Sequence, residues 1–189
     1  INDKPLLQRL EDQDDRRIFT IFEAIKAGIS TETINEITRV DKWFIEKLRN
    51  LADFENEIQG KEIDEETYLR AKKLGYNDKT LRKFCSFPES FHKSASYKMV
   101  DTCAAEYCAT TPYFYSSYDK ACESRRFKRS GKAVVMVLGS GPIRIGQGIE
   151  FDYASVHCVH ALRKMGYETI IVNNNPETVS TDFDTADRL

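Results

Sequence analysis

Ala133-Val134-Val135-Met136-Val137-Leu138-Gly139-Ser140-Gly141-Pro142-Ile143-Arg144-Ile145-Gly146-Gln147-Gly148 is the stretch whose reading decides the fold. Its first six residues form an unbroken apolar run, the pattern of a strand buried on both faces. The next ten hold four glycines and read as a loop. A helical pattern follows, with Ala154, Cys158, Ala161, Leu162 and Met165 recurring at helical spacing and Gly166 as its stop. A second apolar run, Thr169-Ile170-Ile171-Val172, ends in Asn173-Asn174-Asn175-Pro176. Strand, glycine loop, helix, strand predicts a parallel βαβ unit with the loop at the carboxyl edge of the sheet, where open α/β sheets bind ligands.

Two common ligands are excluded by spacing. A dinucleotide fingerprint needs a third glycine three residues after Gly141, where this chain has Arg144. The acidic residue that would hold a ribose after the second strand is absent, since Asn173 stands there. A phosphate-binding loop of the G-x-x-x-x-G-K-[ST] type finds its glycines at Gly141 and Gly146 but has Gln147 in place of lysine.

Upstream, the grammar changes to helix, glycine, short loop, helix. Ile18, Phe19, Ile21, Phe22 and Ile25 form an apolar stripe stopped by Gly28. Ser30 is placed to cap a short helix carrying Ile34 and Ile37. Asp41 is placed to cap a longer one in which Phe44, Ile45, Leu48, Leu51, Ala52 and Ile58 face inward, ending near Gly60. Asp64 and Asn77 open two more, one through Tyr68, Leu69 and Ala71 to Gly75, the other through Leu81 and Phe84. Residues 1 to 14 are polar and read as loosely packed. An aromatic-rich stretch from Ser86 to Tyr118 contains one extended candidate, Tyr97 to Val100, and its rings suit an interface with neighbouring domains. The basic run Arg125 to Lys132 reads as a linker. The expected fold class is a mainly α-helical domain (1–124), a basic linker (125–132) and a truncated α/β segment (133–189), because a two-stranded parallel sheet cannot cover both its faces.

Composition bounds the partners. The chain has 189 residues, a formal charge of -2 and 31% charged residues, which offers no electrostatic footprint for nucleic acid or an anionic membrane. No apolar run reaches the roughly 20 residues of a membrane span. The five cysteines form no C-x-x-C pair and read as reduced, partly buried thiols of a cytoplasmic protein.

Among residues that carry chemistry, Gly139, Ser140 and Gly141 let the backbone approach another group closely, either a ligand or merely a tight turn. Arg144 and Gln147 add a permanent cation and an amide, which suit a carboxylate, a phosphate or a neighbouring loop. Glu150 and Asp152 fall in the first helical turn, where the helix dipole favours carboxylates. Asn173, Asn174, Asn175, Glu177 and Thr178 crowd the end of the second strand, able to tie loops together or to hold a small polar substrate. His157 and His160 lack further ligands for a metal. No catalytic or metal-binding constellation is read. One alternative is a free-standing α/β enzyme that binds a nucleotide through the loop Gly139 to Gly148.

The run Leu138-GSGPIRIGQGIEFDYASVH-Cys158, with Gly166-YETIIVNNNPETVSTDFDTADRL, resembles the large subunit of the carbamoyl-phosphate synthase family, at the opening of its second synthetase half. Val100-DTCAAEY, Thr111-PYFYSSY, Arg39-VDKWFIEKL and Arg70-AKKLGYND resemble the family's oligomerisation domain. The resemblance implies a segment of a longer ATP-dependent ligase. That ligase makes carbamoyl phosphate from bicarbonate, glutamine-derived ammonia and two ATP for pyrimidine and arginine synthesis. It implies a pre-ATP-grasp, Rossmann-like α/β domain, and ATP, Mg2+ or Mn2+ and K+ for the parent but no cofactor for this segment. It further implies a glutaminase small subunit and a homo-oligomer as partners. The glycine loop is similar to one bordering the internal passage for carbamate, with Gly148 where a side chain would narrow it.

Overall fold

Hydrogen-bonded side chains start four helices where the sequence places caps. Ser30 Oγ accepts from Thr33 N at 3.1 Å, Asp41 Oδ1 from Trp43 N, Asp64 Oδ1 from Thr67 N and Asn77 Oδ1 from Thr80 N, the last three at 2.8 Å. Each satisfies an amide that the helix itself leaves unpaired, worth about 1 kcal/mol. The helices so begun are α3 (Thr31–Thr38), α4 (Lys42–Ile58), α5 (Glu65–Lys73) and α6 (Asp78–Leu81), preceded by α1 (Leu6–Glu11) and α2 (Arg17–Lys26). The computed structural model describes residues 4–109, 111–126, 130–139, 141, 150–175 and 178–189. Among them the chain is mixed α and β, with two small sheets, and divides into two units, Ile1–His92 and Lys93–Leu189.

The first unit holds two hydrophobic clusters. One joins Leu10, Ile21, Ala24, Ile25, Ile34, Ile45 and Ala52; the other joins Phe54, Ile58, Ile63, Tyr68, Ala71, Leu81, Cys85 and Phe87. Helix α4 belongs to both. Ile45 and Phe54 lie nine residues apart, about two and a half turns, so they face opposite sides. This corrects the expected inward face of α4: Phe54 is fully buried, whereas Phe44 is exposed and packs edge-on against the equally exposed Trp43. Phe19 and Ile18 are likewise exposed, because α2 turns Ile21, Ala24 and Ile25 to the cluster. Within the polar N-terminal stretch, α1 packs more tightly than the composition implies, since its Leu10 is completely buried.

Polar groups reinforce the second cluster. Asp78 accepts from the Tyr68 hydroxyl at 2.9 Å and from buried Lys72 Nζ at 2.8 Å, and His92 Nδ1 lies 2.9 Å from its other oxygen. Burial pushes the Asp78 carboxyl up, but these partners outweigh it and hold the pKa at about 2.

The second unit contains an antiparallel pair, β1 (Ser96–Met99) with β2 (Phe114–Ser117), and a parallel pair, β3 (Val134–Leu138) with β4 (Glu168–Val172). Helix α7 (Glu150–Lys164) connects β3 to β4. The parallel register runs from Val134↔Glu168 to Leu138↔Val172, as expected for a βαβ unit. Gly166, at φ +90°, closes α7 by donating to Arg163 O while Tyr167 N reaches Leu162 O, a glycine-dependent C-terminal stop.

Two sequence readings are corrected here. First, β3 is not buried on both faces: Val134, Met136 and Leu138 are exposed, because α7 is the only described helix between β3 and β4 and covers one side. Second, the inward face of α7 is Asp152, Ser155 and Val159, whereas Ala154, Cys158, Ala161 and Met165 are exposed and Leu162 is half-buried. With Cys158, Cys108 and Cys122 are exposed too, and Cys85 is the buried thiol. The two compact units part between His92 and Lys93. The tail explains this division. Arg188 N donates to Thr169 O, Ile171 N to Arg188 O, Leu189 N to Pro112 O and Phe114 N to Leu189 O, which ties the segment carrying β2 to the parallel pair.

Candidate site at the carboxyl edge of the parallel strands

The carboxyl ends of β3 and β4 meet at Gly139 and Asn173. Gly139 N continues the ladder by donating to Val172 O at 2.7 Å. A Cβ on Gly139 would lie 2.8 Å from Asn173 Cγ and Nδ2 and 3.0 Å from its Cβ, so any larger residue there would force Asn173 to shift. Gly141 has φ +74°, the left-handed region where glycine is unstrained, and a Cβ there would come within 3.9 Å of Asn174 Oδ1.

The asparagines and hydroxyls after β4 are bound to one another. Asn175 N donates to Asn173 Oδ1 at 3.2 Å, and Asn173 Nδ2 donates to Ser180 Oγ at 3.4 Å. Thr178 and Thr181 form a reciprocal cap on the short turn Val179–Thr181. Thr178 Oγ1 and Ser180 N both donate at 2.7 Å to Asp152 Oδ2 in the first turn of α7. A polar chain therefore runs from Asn173, beside Gly139, through Ser180 to Asp152. Asp152 is only 2% exposed. Burial raises its carboxyl, yet the Ser180 and Thr178 hydrogen bonds outweigh that and keep it below the usual carboxylate range. Its other oxygen, Oδ1, is buried and has no hydrogen-bond partner among the described residues.

Of the residues the sequence singles out, Gly139, Gly141, Asn175 and Thr178 are brought to this edge; Ser140, Arg144, Gln147 and Gly148 lie outside the described residues. Asp152 was legible only as a partner of the helix dipole, and Ser180 was not read at all. The available signal was the hydroxyl-rich run Thr178-Val179-Ser180-Thr181 following an acidic first turn. His157 stacks on Tyr153 at 4.1 Å, and among the described residues no group of three acidic, histidine or cysteine side chains could hold a metal.

A second polar knot fixes the amino ends of the strands. Glu168 is bonded by the Ser130 hydroxyl and paired with Arg188, and the Ser130 hydrogen bond is the main reason its carboxyl sits low. Asp187 Oδ2 accepts from Thr169 N at 2.8 Å and from Thr169 Oγ1 at 2.9 Å. No described helix is long and apolar enough to cross a membrane.

Residues 1–99 match the family model of the carbamoyl-phosphate synthetase large chain oligomerisation domain, and residues 131–189 that of the carbamoyl phosphate synthase preATP-grasp domain. The chain is 50% identical over 185 residues to the carbamoyl phosphate synthase large chain of Lachnoclostridium phytofermentans, covering 93% of this chain and 17% of that protein. Against the large chain of Agathobacter rectalis it is 47% identical over 197 residues, covering 100% and 18%. Against that of Methanobrevibacter smithii it is 47% identical over 189 residues, covering 95% and 18%. The chain thus spans less than a fifth of the length of these relatives.

Proposed function

Because this chain belongs to the carbamoyl phosphate synthase large-chain family, we propose that it serves that ATP-dependent ligase as an oligomerisation and scaffolding segment without catalytic residues of its own. The observation that carries the reading is that the two matched family models are an oligomerisation domain and a preATP-grasp domain. The parent reaction joins bicarbonate, glutamine-derived ammonia and two ATP into carbamoyl phosphate in the cytoplasm, with Mg2+ or Mn2+ and K+, and with a glutaminase small subunit as partner. These cofactors belong to the ATP-grasp domains, so the chain alone should release no ADP from bicarbonate, ammonia and MgATP above a heat-killed control.

Within the parent, β3, α7 and β4 form the start of a Rossmann-like pre-ATP-grasp domain. The loop from Gly139 to Gly148, with Ser140, Arg144 and Gln147, borders the passage that carries carbamate between active sites, as do Asn175 and Thr178 beyond β4. The parallel pairing of β3 with β4 supports this reading, since it sets the loop at the carboxyl edge. The test is Gly148→Phe in a full-length large chain with its glutaminase partner. Carbamoyl phosphate synthesis should fall sharply while ATP formation from added carbamoyl phosphate persists. If Gly148→Ala impairs synthesis equally, the residue serves the turn and not a passage.

A further inference from the structure

A cavity of about 200 Å³ opens in the second unit at the end of β1, apart from the parallel strands. Met99, Val100 and Ala105 give it apolar walls, and Asp101, Tyr107 and Glu123 add polar groups. Its two carboxylates are not equally balanced. Glu123 is neutralised, with Arg126 Nη2 at 2.9 Å from Oε1 and the Met99 amide donating to Oε2 at 2.9 Å. Asp101 receives backbone amides only, Cys103 N donating to Oδ1 at 3.0 Å and Ala105 N to Oδ2 at 2.7 Å. No described cation pairs with it. The two bonds span Ala104 and Ala105, whose φ values of +49° and +62° lie where residues with a Cβ rarely sit. Asp101 thus presents a fixed negative charge on the cavity, and Tyr107 on the same cavity is 77% exposed.

These features decide the kind of partner. The volume falls below the roughly 300–1,000 Å³ of small-molecule pockets and suits a single side chain. A carboxylate without a counter-ion beside an aromatic ring suits a cation, which donates a charge-assisted hydrogen bond to the one and lies over the face of the other. A planar guanidinium does both at once better than an ammonium. A divalent metal is a poor match, since no described group of three ligating side chains surrounds the cavity.

We propose that this cavity is a socket for an arginine side chain presented by another part of the parent large chain, of which this chain spans less than a fifth. The source of the arginine rests on the segment reading above; the guanidinium recognition does not.

The test of recognition uses the whole 189-residue chain, labelled with 15N, and two probes of nearly equal shape, cationic ethylguanidinium and neutral ethylurea. Ethylguanidinium should shift the amide signals of Cys103 and Ala105 in a saturable way, with ethylurea binding about tenfold more weakly for want of the charge. Tyr107→Leu leaves the bonds of Asp101 intact and should weaken ethylguanidinium about threefold, while Asp101→Asn should abolish the preference over ethylurea. The wild-type probe pair decides the matter even if a variant folds poorly. Equal response to both probes, or no response to either, overturns the socket. Unchanged binding in Tyr107→Leu, or retained preference in a folded Asp101→Asn chain, overturns the assignment to these residues. The source is read at Cys108, an exposed thiol on the cavity. Its alkylation by N-ethylmaleimide should be fast in this chain and slow in the full-length large chain, where the socket is filled. Equal rates would leave the socket open in the parent and overturn an occupant from within it. Neither measurement depends on Gly148→Phe or on ADP release, so the readings fail separately.

Discussion

Replacing Gly139 with alanine tests how closely the two parallel strands converge at their carboxyl ends. Gly139 is not among the glycines with positive φ, so alanine meets no backbone penalty there. The whole cost is steric: the new methyl would sit 2.8 Å from Asn173 Cγ and Nδ2. Relief requires the Asn173 side chain to rotate away, which breaks its hydrogen bonds with Ser180 Oγ and Asn175 N. Two such bonds at about 1 kcal/mol each give a loss of about 2 kcal/mol, confined to the second unit. Asn173→Ala alone forfeits the same two bonds and should cost about as much. The pair should therefore be strongly non-additive, because in the double variant only the 3.0 Å contact with the Cβ of residue 173 still opposes the methyl. Hydrogen exchange at the amides of Val135 and Ile171 reads this locally. Additive losses would show that the Gly139–Asn173 approach is not the constraint, and the reasoning from close contact would be wrong.

Acid should weaken the first unit through Asp78. Its pKa of about 2 lies below its ordinary 3.8, so the stabilisation of about 2 kcal/mol is present above 3.8 and is lost as pH falls through 2. Urea melts across that range should show the slope in wild type and its loss in Asp78→Asn. A chain ending at His92 should unfold cooperatively, since both clusters lie wholly within it; a broad, non-cooperative melt would count against the division there. Exposed Ile18, Phe19, Trp43 and Phe44 should support weak self-association, seen as mass rising toward a dimer in sedimentation over a concentration series. A single monomeric species at high concentration would refute it.

Local chemistry was the most legible part of this sequence. Ser30, Asp41, Asp64 and Asn77 cap their helices because a cap depends on residues two or three positions away. The βαβ connection was legible for a similar reason, its strands and helix being contiguous segments of distinct period. What failed was the choice of covered face. The apolar row Ala154, Cys158, Ala161 and Met165 has a helical period, yet α7 packs through Asp152, Ser155 and Val159, whose two hydroxyl and carboxyl members mask the pattern. Phe54 escaped because α4 serves two clusters and has no single apolar stripe. The candidate site was half legible: Gly139 and Thr178 stand out by type, but the pairing of Asp152 with Ser180 spans 28 positions and leaves no periodic trace.

The two-sided burial of α4 also governs how the first unit comes apart. Its 17 residues span about 25 Å, with Ile45 and Ala52 in one cluster and Phe54 and Ile58 in the other. Neither cluster can release its part of α4 without loosening the helix on which the other cluster also packs. Partial opening is thereby made expensive, and amides on either side of α4 should exchange with solvent through one common event. A helix that could have been a simple connector instead makes two small cores, each marginal by itself, behave as one unit on the timescale of unfolding.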